Sequence, residues 1–222
     1  MKLPILGLML SVGMGWLIAP SAFGEIVLHD ESIQGDLSNG DPIFDSNFDI
    51  IGYTGDDLGA LPGAMGSTPG IGSVIGQTDF QQIDLFTIEV TAGSTWDELR
   101  LTNFDSGGAD NNLFIAIEDS ELFPENFFID PGEFSALRNS FFGYALVGTA
   151  DLGGDVLGKI GSSNNNFGDD LGPGIYSVYI QQTGPATDYR FDFVTVPEPG
   201  SVTVLLLGGA AFWARRRRRH GV

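Results

Sequence analysis

The sequence predicts an all-β sandwich, and its composition is the first reason. Glycine occurs 32 times in 222 residues, about twice its ordinary share, and with 11 prolines it indicates many tight turns between short strands. Several short segments alternate apolar and polar side chains, as half-buried strands do. No apolar pattern of helical period continues over three turns between residues 25 and 196. Short alternating segments at close spacing are typical of a sandwich.

Three strands are predicted in the middle of the chain. Residues 84–90 place Phe, Ile and Val at alternate positions, with Leu, Thr and Glu between them. A turn at Ala92 and Gly93 leads to residues 96–103, and we expect these two strands to form a hairpin. Residues 111–118 follow a cluster of turn-forming residues and form the third strand.

The remaining strands are predicted on both sides of these three. Residues 25–76 are turn-rich, so their strands should be short and peripheral. Residues 141–147 form another strand, and residues 148–174 form a long loop rich in Gly, Asn and Asp. The last two strands, 174–182 and 187–196, show the clearest alternation in the chain.

Charge and cysteine content exclude several classes of function. The chain carries a formal net charge of −19 and has no cysteine, so neither disulfides nor thiol chemistry are available. Residues 25–196 contain 28 acidic and four basic residues, a net charge of −24. Such a body cannot neutralise phosphates and repels anionic lipid, so nucleic acid is excluded as a partner. Its charge favours solubility and attracts cations.

Residues 1–24 are predicted to be a secretory signal peptide. A basic residue precedes an apolar run over residues 3–18, and small residues follow it. We expect signal peptidase to cut between Gly24 and Glu25, with a cut after Ala22 as the second choice. A retained membrane anchor is the alternative, but the apolar run is shorter than the roughly 20 residues of a spanning helix.

The C-terminal region has three parts. Pro197, Glu198 and Pro199 keep the chain extended, the form that a protease cleft accepts. An apolar segment at residues 201–214 is short for a membrane helix but can halt translocation, since flanking arginine side chains reach back to the interface. A basic cluster then holds this end in the cytoplasm and leaves the body outside. The cluster consists of Arg215, Arg216, Arg217, Arg218 and Arg219.

This combination resembles the PEP-CTERM sorting domain, in which a Pro-Glu-Pro signature precedes a membrane helix and a basic cluster. The resemblance assigns residues 197–222 to a sorting tail and residues 25–196 to the exported body. It implies that a membrane-embedded exosortase cleaves near Pro197–Pro199 in a diderm bacterium. The expected route is through the inner membrane, with a transient anchor there, to the cell surface or the extracellular matrix.

The body itself resembles the bacterial pre-peptidase C-terminal domain, a jelly-roll-like sandwich. The matching pieces are Gly35-Asp36-Leu37-Ser38, Ile83–Val90, Ala92-Gly93, Gly172–Ile180 and Tyr189–Phe193. The resemblance implies a jelly-roll-like β-sandwich of about eight to nine strands, and a binding or accessory role without catalysis. Fold transfers better than function in such a likeness.

Catalytic chemistry has few candidates. His29 and His220 are the only histidines, and the second lies in the predicted tail, so neither a Ser-His nor a Cys-His arrangement is available. A zinc site is excluded on the same grounds, and His29 is interpreted as a strand-edge residue. We predict no catalytic residues and no metal ligands. A pair of carboxylates could still serve a hydrolase, which is the least favoured of three hypotheses.

Calcium is the one cofactor left open. Asp105–Asn112 and Asn164–Asp170 concentrate oxygen ligands in glycine-containing loops, without the spacing of an EF-hand. The alternative is that Asp and Asn are turn formers here.

The leading hypothesis is a non-catalytic surface or matrix protein. The alternative is a carbohydrate-binding module of the extracellular polysaccharide, with Trp96, Tyr144 or Tyr179 stacking on sugar rings.

Overall fold

Two β-sheets make up most of the described chain. The computed structural model describes residues 25–48, 50–64, 68–78, 82–107, 112–124, 141–164, 166–182 and 186–198. The strands are β1 Ile26–Asp30, β2 Asp41–Phe44, β3 Ile50–Thr54, β4 Asp56–Ala60, β5 Gly70–Thr78, β6 Ile83–Val90, β7 Ser94–Asp105, β8 Leu113–Glu118, β9 Gly143–Val147, β10 Gly174–Gln182 and β11 Thr187–Pro197. Two short helices, α1 Glu31–Gln34 and α2 Leu157–Ser162, and a 3₁₀ turn at Thr149–Asp151 accompany them. The predicted all-β class is confirmed.

The strands are divided between two main sheets and a ribbon. Sheet 1 has the order β1-β5-β11-β7, and sheet 2 has the order β4-β6-β10-β8-β9. The two-stranded ribbon is β2-β3. The edge strands β1 and β4 pair in parallel with their neighbours, whereas the other pairs are antiparallel. Both early strands are therefore additions at the rim, as predicted for the turn-rich start.

The central strands pair in a nested pattern. The first of them, β5, pairs with the last, β11, while β6 pairs with β10 and β8 with β9. Between these pairs, Asp155 and Leu171 form isolated bridges to the outer edge of β7. The chain thus follows the path of one long hairpin rolled into two layers.

The main core lies between the two sheets. Inward side chains of both sheets form one buried cluster, which includes Phe86 and Tyr176 from sheet 2 and Phe193 and Trp96 from sheet 1. The ring centroids of Phe86 and Phe193 lie 6.2 Å apart, and those of Trp96 and Tyr176 lie 6.0 Å apart. Edge-to-face contacts of this kind join the layers and add to the gain from burying apolar area.

A second apolar cluster covers the outer face of sheet 2. It contains Leu85, Phe114 and Tyr179 from the sheet, together with Phe123 and Phe141 from the connection after β8. Tyr53 of β3 forms a backbone bridge with Phe123. Alternation predicted a half-buried strand at residues 84–90, but β6 is buried on both faces over most of its length. The residues that cover the outer face, Phe123 and Phe141, come from a segment whose sequence shows no regular alternation.

One central strand, β5, was not predicted. Its sequence GIGSVIGQT is rich in glycine, which ordinarily weakens a strand. In the fold these glycines admit neighbouring side chains: a Cβ on Gly72 would lie 2.8 Å from Leu28 Cδ1, and a Cβ on Gly76 would lie 2.5 Å from Tyr189 Oη. Glycine is required here by close approach, not by a turn.

Two local predictions are wrong. The turn at Ala92-Gly93 does not close a hairpin, because β6 belongs to sheet 2 and β7 to sheet 1; it carries the chain between layers. Residues 148–174 are not one irregular loop, since they contain the 3₁₀ turn and α2. Leu157 and Ile160 of α2 are buried in the main core, which stabilises a helix too short to show a clear period.

The predicted signal peptide and the predicted membrane segment at residues 201–214 lie outside the described residues. Within the part that is described, no helix has the length and apolar character needed to cross a membrane.

Candidate functional site

The predicted sorting motif begins inside the folded body. Pro197 is the last residue of β11 and lies opposite Ser94 of β7. The amide of Glu198 donates to the carbonyl of Gly93 at 3.1 Å. β11 is flanked by β5 on one side and β7 on the other, so the motif continues a central strand without a linker. Pro199 and the arginine cluster lie outside the described residues.

The other predicted processing point lies close to sheet 1. Glu25, the expected first residue after cleavage, pairs with Arg190 and accepts a hydrogen bond from Ser73 at 2.7 Å. Arg190 also pairs with Asp192 at 3.0 Å. The side chain of Glu25 is therefore fixed to β5 and β11. Gly24 is outside the described residues.

The aromatic residues proposed as sugar platforms do not form one. Trp96 and Tyr179 are both 0% exposed, one in each apolar cluster. Tyr144 is half-buried and stacks on Phe114, with ring centroids 6.1 Å apart. The expectation that Trp96 or Tyr179 stacks on a sugar is wrong, because these strand residues point into the two apolar clusters.

The loops proposed for calcium have other contacts. The side-chain amides of Asn164 and Asn166 donate to the carbonyls of Phe141 and Phe142. They hold the loop after α2 against the segment before β9. In the other loop, Asp105 accepts from the amide of Gly107 at 3.4 Å, as a turn former does. His29 lies on the edge strand β1, and its Nε2 is 2.9 Å from the carbonyl of Gly35.

A carboxylate cluster that was not predicted lies where α1 meets the start of β6. It consists of Glu31, Asp36 and Asp84. One carboxylate oxygen from each of these residues lies within 4.8 Å of the other two. Asp84 is completely buried, Glu31 half-buried and Asp36 exposed. Glu31 also lines an open groove together with Gln77 and Asp188. We call these three residues the carboxylate cluster.

Local hydrogen bonds fix Glu31. Asp30 caps α1 by accepting from the amide of Ser32 at 3.0 Å, and Gly35 ends the helix with φ of 96°. The carboxylate of Glu31 then accepts from the amide of Gln77 at 2.6 Å and from that of Leu37 at 3.3 Å. Glu31 is thus held by β5 and by the loop that carries Asp36.

The loop after α1 runs beside the first residues of β6. Leu37 is buried in the main core, the carbonyl of Ser38 accepts from the amide of Leu85 at 3.0 Å, and Asn39 accepts from the amide of Ile83 at 2.8 Å. These contacts bring Asp36 next to Asp84, although the two residues lie far apart in the sequence.

Asp84 occupies an unfavourable position for a charged group. Its Oδ2 accepts a hydrogen bond from the hydroxyl of Tyr189 at 2.8 Å, while its buried Oδ1 has no hydrogen-bond partner among the described residues. Burial raises the pKa of Asp84 to about 8; the charges of Glu31 and Asp36 add to the rise, and the Tyr189 hydrogen bond opposes it. Burial likewise raises the pKa of Glu31.

The cluster does not suit acid–base catalysis on an external substrate. A glycosidase needs two carboxyl groups that both reach the scissile bond. Asp84 has no exposed surface, so it cannot touch a sugar in the groove. A signal for the cluster was present in the sequence: Asp84 shares the inward parity of Phe86, Ile88 and Val90 on β6, and a carboxylate at an inward position calls for a partner.

Comparison with known proteins identifies the tail. Residues 195–219 match the PEP-CTERM protein-sorting motif, which confirms the resemblance drawn from the Pro-Glu-Pro signature and the residues after it. No curated protein and no solved structure matches the chain. The likeness of the body to the pre-peptidase C-terminal domain therefore stays a prediction. The motif implies that the protein is exported and is sorted by an exosortase.

Proposed function

We propose that this protein is a non-catalytic component of the bacterial surface or extracellular matrix, released from its membrane tail by an exosortase-type protease. The single observation that carries this proposal is the sorting-motif match at residues 195–219, which begins within the last strand of a folded β-body. A signal peptidase acts at the other end, between Gly24 and Glu25. The inner membrane holds the chain only between these two cleavages.

The strand order supports a jelly-roll-like class for the body. A jelly roll is a double sheet whose connections form two Greek keys. The nested pairs β5-β11, β6-β10 and β8-β9 are distributed over two facing layers in this manner. The segment that contains Asp155 and Leu171 takes the remaining place beside β7.

The absence of catalysis is proposed from the same residues. In the described chain, the carboxylates that come together leave Asp84 buried, and the single histidine described, His29, is engaged with a backbone carbonyl. A strongly acidic body suits a displayed surface protein, because its charge favours solubility and attracts cations.

The test is the intact mass of the protein recovered from the outer fraction of its host. Wild-type protein should end near Pro197–Pro199, and Glu198→Ala should accumulate with its tail attached. Glu121→Ala, which removes an exposed glutamate elsewhere, is the matched control and should be processed normally. An unprocessed wild-type tail that extends through the arginine cluster would contradict the proposal.

A further inference from the structure

The geometry of the carboxylate cluster fits one bound cation. Calcium takes oxygen ligands at about 2.3–2.6 Å, so two oxygens on the same ion are at most about 5 Å apart. In the cluster, one oxygen from each of Glu31, Asp36 and Asp84 lies within 4.8 Å of the others. The three oxygens are therefore spaced about as the ligands of one ion are.

A second observation points to a ligand at the same place. Oδ1 of Asp84 is buried and has no hydrogen-bond partner among the described residues, although its residue is 0% exposed. Buried carboxylates without a hydrogen bond are rare unless they are paired or coordinate a metal. The cluster contains two further carboxylates, and the described Arg100, Lys159 and Arg190 pair with acidic residues elsewhere.

The chemistry of the donors selects the kind of ion. All three ligands are carboxylates, and the nearby His29 has its Nε2 within 2.9 Å of a carbonyl. Hard oxygen ligands suit calcium or magnesium and not zinc. Magnesium keeps several waters and binds through one or two carboxylates. Three carboxylates, one of them in the core, favour calcium.

We propose that Glu31, Asp36 and Asp84 bind one calcium ion, which fastens the N-terminal segment to sheet 2. Glu31 follows β1 of sheet 1, Asp36 lies in the next loop, and Asp84 lies on β6. Tyr189 of β11 holds Asp84 from the other layer. Asp36 is exposed, which opens this side of the cluster to solvent. This site lies in neither of the loops that the sequence suggested.

Thermal unfolding of the full chain in mild detergent tests the proposal. The protein is stripped with EDTA and then titrated with CaCl₂, with MgCl₂ and with NaCl at matched ionic strength. A ligand present at about 100 times its Kd stabilises the folded state enough to raise the Tm of a chain of this size by roughly 5–10 °C. We expect this rise with CaCl₂, well above the responses to MgCl₂ and NaCl.

Two variants locate the ion, and one serves as a control. Asp84→Asn keeps an acceptor for Tyr189 and removes the charge, and Asp36→Asn removes the charge of an exposed residue. Each variant should lose most of the calcium response, measured as the rise above its own Tm in EDTA. Asp188→Asn, on the same groove but outside the cluster, should keep the full response.

Three results would overturn the proposal. The first is a wild-type Tm that does not respond to CaCl₂. The second is a calcium response in Asp84→Asn and Asp36→Asn as large as that of wild type, which would place the ion elsewhere. The third is an equal response to MgCl₂ at the same concentration, which would remove the assignment to calcium.

Discussion

Gly76 shows how one missing side chain makes room for another. It lies directly opposite Tyr189 on the neighbouring strand, and a Cβ at this position would be 2.5 Å from Oη and 2.6 Å from Cζ of the tyrosine. Tyr189 is fully buried and donates its hydroxyl hydrogen to Asp84. The glycine thus sets the position of the tyrosine, and the tyrosine sets the position of the carboxylate.

Gly76→Ala is expected to destabilise the protein by about 1–3 kcal/mol, as extra volume in a packed interior does. Urea unfolding measures the change as a lower midpoint. Gly172→Ala is the matched control, because a Cβ there meets no atom within 4 Å, and it should stay within about 0.5 kcal/mol of wild type. Equal midpoints for the two variants would contradict the packing argument.

Glu118 is a half-buried carboxylate at the end of β8. Burial raises its pKa from 4.5 to about 7, against the hydrogen bond that it accepts from the amide of Phe142. Between these two pH values the folded chain binds more protons at this residue than the unfolded chain does. The contribution of Glu118 to stability is therefore full below about pH 4.5 and is lost as the pH rises to about 7.

Glu118→Gln should gain stability relative to wild type over that pH range. The amide still accepts from Phe142 and has no charge to desolvate. Because the residue is partly exposed, solvent screening reduces the gain to the order of 1 kcal/mol. Urea midpoints at about pH 4.5, 6 and 8 give the difference, and Glu121→Gln controls for the loss of an exposed glutamate. A difference that does not change with pH would show that burial does not perturb Glu118.

Sheet 2 is an element with two buried faces. Phe123 and Phe141 lie over its outer face, and Phe123 stacks on Tyr179 with ring centroids 5.1 Å apart. Phe44, by contrast, lies on the ribbon strand β2 and is 53% exposed. Two phenylalanines of the same chain therefore occupy opposite environments.

Phe123→Ala should cost about 3–5 kcal/mol, since it leaves a cavity in the outer cluster. Phe44→Ala, the matched control, should change the free energy of unfolding by less than about 0.5 kcal/mol. Chemical denaturation measures both. A small effect at Phe123 would mean that the connection after β8 does not contribute to the core of the folded state.

Strands were predictable where alternation is strict. Residues 174–182 were assigned to a strand from their pattern, and β10 has the same bounds. The pattern could not reveal β5, where glycines replace the apolar side chains that mark a strand. It also could not show which sheet a strand joins, because the turn at residues 92–93 has the same residue types whether it closes a hairpin or crosses between layers.

The functional sites differ in predictability for the same reason. The sorting tail depends on residue types in one continuous stretch, so the sequence alone indicated it. The carboxylate cluster depends on Glu31, Asp36 and Asp84 meeting through two sheets. A buried aspartate on β6 is visible as an irregularity of alternation, but its partners become known only when the fold is known.

The molecule as a whole is strongly acidic. Residues 25–196 have a net charge of −24, and the described cations Arg100, Lys159 and Arg190 are already paired with acidic residues. Repulsion among the remaining carboxylates opposes the compact state and decreases as salt screens it.

The Tm of the EDTA-treated protein should therefore rise by a few degrees as NaCl is increased from about 10 mM to about 0.3 M, a range over which the Debye length falls from about 30 Å to below 8 Å. Scanning calorimetry at constant pH measures the change. A Tm that falls with NaCl would mean that ion pairs contribute more to stability than the repulsion removes.

The central place of β11 has a consequence for the order of events during export. The strand joins β5 to β7 in sheet 1, and its last residue is also the first of the Pro-Glu-Pro motif. As the chain crosses the membrane from its N-terminal side, sheet 1 lacks its middle strand until residue 197 emerges. Folding of the body and exposure of the cleavage motif then coincide. A chain that is truncated before β11 therefore lacks both the strand that joins sheet 1 and the sorting motif.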